Sequence, residues 1–195
     1  KTDVTAGFQE TDHMIMFLVQ HDTTIVKGIT ALKRWTGKVH WHIAYDSQVD
    51  PFTDQGLFDK VKGKENIALV VFTADGDVFG GFYTVAVTQQ QKRFFDPNMF
   101  IFSLESHWRC RTPQKFAVRE EKRDDKSVRF LKNDPDGWFV DFGGNDGYFF
   151  LGNDKSNTYC YGLSNDFEGV QGLTFTGKWD GRPFTCTRIV AVHLQ

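Results

Sequence analysis

The sequence predicts an α+β, mainly β domain: a two-sheet antiparallel β-sandwich flanked by short helices. Three observations carry that expectation. Short apolar segments recur along most of the chain, spaced roughly 8 to 15 residues apart and separated by Gly, Asp and Asn turn signals. Two pairs of such segments flank Asp-Gly or Gly-rich turns, the mark of β-hairpins. Helical periodicity is mostly confined to the first third, which suits helices attached to a sandwich rather than an alternating α/β chain.

Taken in order, Met14 to Val19 is apolar within a polar lead-in and suggests a short helix. From Asp22, a favoured N-cap residue, Ile25, Ile29, Leu32 and Trp35 fall on one helical face that ends at Gly37. Val39, Trp41, Ile43 and Tyr45 then alternate with polar residues as a strand with one buried face does. Thr53 is placed to cap a short helix carrying Leu57, Phe58 and Val61. The strongest local signal follows, with Ile67 to Phe72 and Val78 to Val87 flanking Ala74-Asp75-Gly76-Asp77. Phe100 to Leu104, Phe116 to Val118 and Val128 to Leu131 read as further strands, and Trp138 to Phe142 with Tyr148 to Leu151 as a second hairpin. Cys186 to Leu194 is the last strand, with Ile189 and Ala191 opposite in direction to Val190, Val192 and Leu194. Trp41, Ile43, Leu69, Val71, Phe79, Phe102, Phe139 and Ile189 are the expected core of the sandwich.

Nothing in the composition marks a linker or repeat, so residues 1–195 read as one domain, with 1–27 as a helical lead-in. Aromatic residues make up 15% of the chain, with Phe at 20 positions, a stock of large rings that suits pleated, half-buried surfaces and speaks against disorder. A net charge of −2, with both signs interspersed, speaks against nucleic acid and anionic membranes as partners. The three cysteines, Cys110, Cys160 and Cys186, are odd in number and widely spaced, so no disulfide framework is expected. No signal peptide is apparent, and the apolar runs are too short for membrane insertion; the cytoplasm or nucleus is the expected location. A start at Lys1 suggests either processing or a domain cut from a longer protein.

Several clusters invite chemistry. His40 and His42 share one side of a strand, but no third ligand is placed, so no bound metal is expected. Asp75-Gly76-Asp77, Asn133-Asp134-Pro135-Asp136-Gly137 and Asn145-Asp146-Gly147 do not fit a calcium loop, and turn chemistry explains them better. Gly80-Gly81 lacks the residues of a phosphate cradle and marks a close backbone approach or a bulge. The run Arg119 to Lys126 alternates in sign as a solvated loop or exposed strand ends do. Cys110 stands between Arg109 and Arg111, cations that would lower its pKa if they approached the sulfur, and it is the single redox candidate. No catalytic constellation and no cofactor motif is found.

The segment Ala68 to Phe82, with its apolar strand, acidic turn and Phe79-Gly80-Gly81-Phe82, resembles the first core hairpin of the TLDc family. Trp41 to Ser47 resembles the family's upstream aromatic strand, and the neighbourhood of Phe58 the short helix after it. Phe100 to Leu104 resembles its Phe-Leu-Phe-x-Leu strand, and Gly144 to Phe149 its Gly-x-Asn-x-Tyr-Phe hairpin. The series runs from about Gly28 to the C-terminus. It departs from the family in the second half, where Gly172 to Phe175 and Arg188 to His193 stand in place of the family's Gly-rich stretch leading to Leu-Asp, its Cys-x-Thr-Phe segment and its closing Glu-x-Trp. The resemblance implies a eukaryotic, non-enzymatic interaction module in oxidative-stress resistance, with a protein partner that in several relatives is a vacuolar proton pump. Two alternatives stay open: a thiol-based redox enzyme or sensor using Cys110, and a nucleic-acid-binding stress regulator using the basic residues between Arg109 and Lys132.

Overall fold

The computed structural model describes residues 23–152, 158–172 and 175–195, so the helix expected at Met14 to Val19 lies outside the described residues. Within them the expected two antiparallel sheets form. The strands are β1 (Trp41–Asp46), β2 (Ile67–Thr73), β3 (Val78–Tyr83), β4 (Phe94–Phe95), β5 (Phe100–Glu105), β6 (Gln114–Ala117), β7 (Ser127–Phe130), β8 (Trp138–Gly143), β9 (Tyr148–Gly152), β10 (Tyr159–Tyr161) and β11 (Cys186–Leu194). One sheet runs in the order β1-β11-β2-β3-β5-β6, the other β10-β9-β8-β7-β4. The C-terminal strand thus lies between β1 and β2, near the start of the chain, a long-range pairing that local sequence cannot announce.

Between the sheets lies the larger core, in which Leu69, Val71, Phe79, Phe139 and Ile189 are buried as expected. Rings interlock there: Phe142 stacks on Phe149 at 4.9 Å between centroids, and Phe79 meets Phe149 edge-on at 5.7 Å. Helix α1 (Thr23–Thr36) covers the other face of the six-stranded sheet, burying Ile25, Ile29 and Leu32. Each such side chain contributes about 1.5–3 kcal/mol of burial. The helix ends as its sequence signals, with Gly37 at φ +71 and its N–H donating to the Lys33 carbonyl at 2.9 Å. A second helix, α2 (Asp54–Val61), begins where Thr53 Oγ1 accepts from Gly56 N at 3.0 Å, and turns Leu57, Phe58 and Val61 into the core between the sheets.

Three expected core residues sit in a different place. Trp41, Ile43 and Phe102 pack on the α1 side of the six-stranded sheet, not between the sheets. The reason in β1 is a bulge: Ile43 pairs with Val192 and Tyr45 with Ala191, so the extra residue, Ala44, reverses the facing and sends Tyr45 alone into the inner core. Val39, read as part of the same buried series, is 64% exposed.

The glycine pair behaves as a close approach. A Cβ at Gly80 would strike the Leu69 carbonyl oxygen, and one at Gly81 would strike the ring of Phe142 from the facing sheet. The second hairpin turns through Gly143 and Gly144 at φ +123 and +121, a backbone that favours glycine.

Candidate functional site

The outer face of the five-stranded sheet is built by a second bulge. Trp138 pairs with Gly152 and Val140 with Leu151, so Phe139 and Val140 both turn inward while Trp138 stays on the outer face beside Phe150. Their rings stack at 4.0 Å between centroids. Tyr159 packs against Phe150 at 5.6 Å and Tyr148 stacks on Tyr161 at 5.6 Å, joining five rings from three strands. Phe150 is enclosed by its neighbours, Trp138, Tyr148 and Tyr159 are half-exposed, and Tyr161 is exposed.

A row of paired residues crosses this face from Arg129 through Asp141 and Phe150 to Tyr159. Asp141 Oδ2 bridges Arg93 at 2.7 Å and Arg129 at 2.9 Å, while its Oδ1 is buried without a hydrogen-bond partner. Burial pushes the Asp141 carboxyl above its usual range and outweighs the opposing pull of Arg93 and Arg129. The patch therefore joins rigid aromatics to two partly exposed guanidinium groups. Period-two alternation separates Asp141 from Val140 and Phe142, but the row depends on cross-strand register, which no local pattern states.

Cys110 lies in the β5–β6 loop, half-buried against the inner core. Its Sγ is 3.2 Å from Ser106 Oγ, and its N–H donates to the same oxygen at 3.2 Å. The two flanking cations are placed differently. Arg109 is ion-paired to the buried carboxylate of Asp77 and donates to the Phe175 carbonyl at 3.2 Å. Arg111 lines a groove with Arg34. His107 Nδ1 also meets Asp77 Oδ1, at 2.8 Å, and is followed by Trp108, which is 99% exposed. Both residues take left-handed backbone, φ +47 and +68, a conformation uncommon outside glycine. Asp77, read as a turn residue, is thus also the buried tie between the β2–β3 turn and this loop. The other two thiols are free and held protonated: burial raises Cys160 strongly and Cys186 to about 12.

The charged run at Arg119 to Lys126 is not wholly solvated. Glu120–Asp125 forms an exposed 3-10 helix, but Lys126 is fully buried and ion-paired to the buried Asp166 at the end of α3 (Leu163–Asp166). Sequence reasoning missed this pair because its members are 40 residues apart. The histidines also gain a neighbour. His42 pairs across strands with His193, their rings 4.9 Å apart between centroids, so His42 is half-buried rather than solvated. Burial, with His42 and Lys64 adding to it, holds the His193 imidazole below its usual pKa. Among the described residues no three His, Cys, Asp or Glu side chains are grouped to hold a metal. None of their helices is long and apolar enough to cross a membrane.

A search of curated proteins found no match to this chain. The family model for the TLDc domain matches residues 19–177, most of the chain; the central hairpin and the aromatic face lie inside the match, and β11 lies beyond it. The chain belongs to the TLDc domain family.

Proposed function

We propose that this chain is a non-enzymatic interaction module in oxidative-stress protection, and that the outer face of its five-stranded sheet receives a protein partner. The observation that carries the reading is the packed, half-open cluster of Trp138, Phe150, Tyr159, Tyr148 and Tyr161 beside Arg93 and Arg129. Trp, Tyr and Arg dominate the binding energy of protein interfaces, and rings already held by their neighbours lose little freedom on binding. The family resemblance points to a vacuolar proton pump as that partner, met in the cytoplasm or nucleus.

Action by binding rather than turnover is supported by the cysteines. Cys160 and Cys186 are kept as thiols by burial, and Cys110 is hydrogen-bonded to Ser106 while the neighbouring Arg109 is ion-paired to Asp77. The test is co-sedimentation with the purified pump, alongside peroxide consumption in the presence of a thiol reductant. Tyr159→Ala is expected to weaken association by roughly tenfold or more, as loss of an interface aromatic does. Multiple turnovers of peroxide that vanish in Cys110→Ser would replace this reading with a thiol enzyme.

A further inference from the structure

On the opposite side of the molecule, two adjoining hollows of about 740 and 380 Å³ run between α1 and the β5–β6 loop, sharing Arg34 and Pro113. Their cations are Arg34, Arg111 and Lys115 in the larger and Lys27 in the smaller, and among the described residues no carboxylate lines either. Some surface cations elsewhere are paired, Lys60 with Asp50, Lys122 with Asp146 and Lys178 with Asp75. Among the described residues none of the four groove cations has a carboxylate partner within ion-pair distance.

The arrangement has direction. Lys27 and Arg34, seven residues apart, lie on one helix face two turns from each other, roughly 10.5 Å along the axis. An extended chain covers that span in about three residues. Lys115 Nζ is 4.4 Å from the centre of the Phe100 ring, and burial lowers its pKa, so a facing anion would offset lost hydration. The groove also runs beside an unfinished sheet edge. β6 is the last strand, and its outer side is taken only from Ala117 onwards, where Glu168 N donates to the Ala117 carbonyl at 2.9 Å and Arg119 N donates to the Asp166 carbonyl at 2.8 Å. Gln114 to Phe116 has no neighbouring strand on that side among the described residues.

We propose that this groove binds an extended acidic segment of a protein partner, its carboxylates meeting Lys27, Arg34, Arg111 and Lys115 and its backbone running beside the open end of β6. The inference rests on the reading of the domain as an interaction module and assigns it a second contact of defined chemistry. A peptide fits better than a long nucleic acid, because an edge strand supplies backbone hydrogen bonds and the chain's net charge of −2 repels an extended polyanion.

The test is fluorescence anisotropy with the full chain and a labelled peptide bearing Asp at every third position between Ser and Ala. Saturable, salt-sensitive binding is expected, weakened roughly tenfold by either Arg34→Glu or Lys115→Glu and unchanged by Lys62→Glu at the end of α2. Equal binding of the peptide with Asn in place of Asp, or indifference to both groove variants, overturns the proposal. Tighter binding of a single-stranded oligonucleotide of equal charge also overturns it, in favour of a nucleic-acid site. If the peptide fails while pump association sensitive to Tyr159→Ala is present, only the groove proposal falls. If the peptide binds as expected and pump association is absent, the groove proposal stands and the reading of the aromatic face falls.

Discussion

The six-stranded sheet is covered on both faces, by α1 on one side and the second sheet on the other, whereas the five-stranded sheet leaves much of one face to solvent. The strands record the difference. In the first sheet β2, β3 and β5 are apolar at nearly every position, as strands buried on both faces are. In the second, β7 and β8 interleave Arg129 and Asp141 with inward Val128, Phe130, Val140 and Phe142. The contrast separates two uses of aromatic residues. Inner rings hold the sheets together, and outer rings, packed on each other, remain available to a partner.

The largest effect that would test this contrast comes from truncating one ring on each face. Phe142→Ala removes a fully buried ring lodged above Gly81 and should cost about 3–5 kcal/mol in urea unfolding. Phe150→Ala should cost less than half as much while still impairing partner binding. Equal losses would mean that the outer face is as structural as the inner one.

The second effect concerns how the more open sheet is fastened. The Lys126–Asp166 pair ties the start of β7 to α3, and removing one partner leaves a buried charge. Lys126→Met should destabilise by about 3 kcal/mol, and Lys126→Met with Asp166→Leu should recover most of it, since a packed apolar pair replaces a buried ion pair at little cost. Failure of the double variant to recover would assign the pair a role beyond fastening. Urea unfolding of both variants checks it.

The smallest effect belongs to β11, the strand beside the edge of the doubly covered sheet. The folded-state pKa of His193 lies below the ordinary imidazole value of 6.5, so protonation favours the unfolded chain. The stability it contributes is present above that unfolded value and is lost as pH falls through the folded one. The unfolding midpoint should therefore drop as pH falls below about 6.5, and His193→Gln should flatten that dependence. An unchanged slope in the variant would assign the acid sensitivity to other groups.

Much of the fold was legible in the sequence because it is locally encoded. The Asp75-Gly76 turn, the cap at Thr53, the stop at Gly37 and the run Ile67 to Phe72 each state their structure within a few residues. Period-two alternation likewise places Ile189 and Ala191 opposite Val190 and Val192. The bulges at Ala44 and Phe139 were not legible, because an extra residue reverses facing without altering residue type, and they decide where Trp41, Tyr45 and Trp138 point. The candidate sites depend almost wholly on such long-range facts. The row from Arg129 to Tyr159, the burial of Asp77 under Arg109, and the cation-lined groove beside β6 join residues far apart in the chain. The sequence by itself determined a two-sheet sandwich and its family, because turns, periods and caps are local. Only the tertiary structure decided which rings are buried and which charges meet, because those outcomes are set by strand register across distant segments.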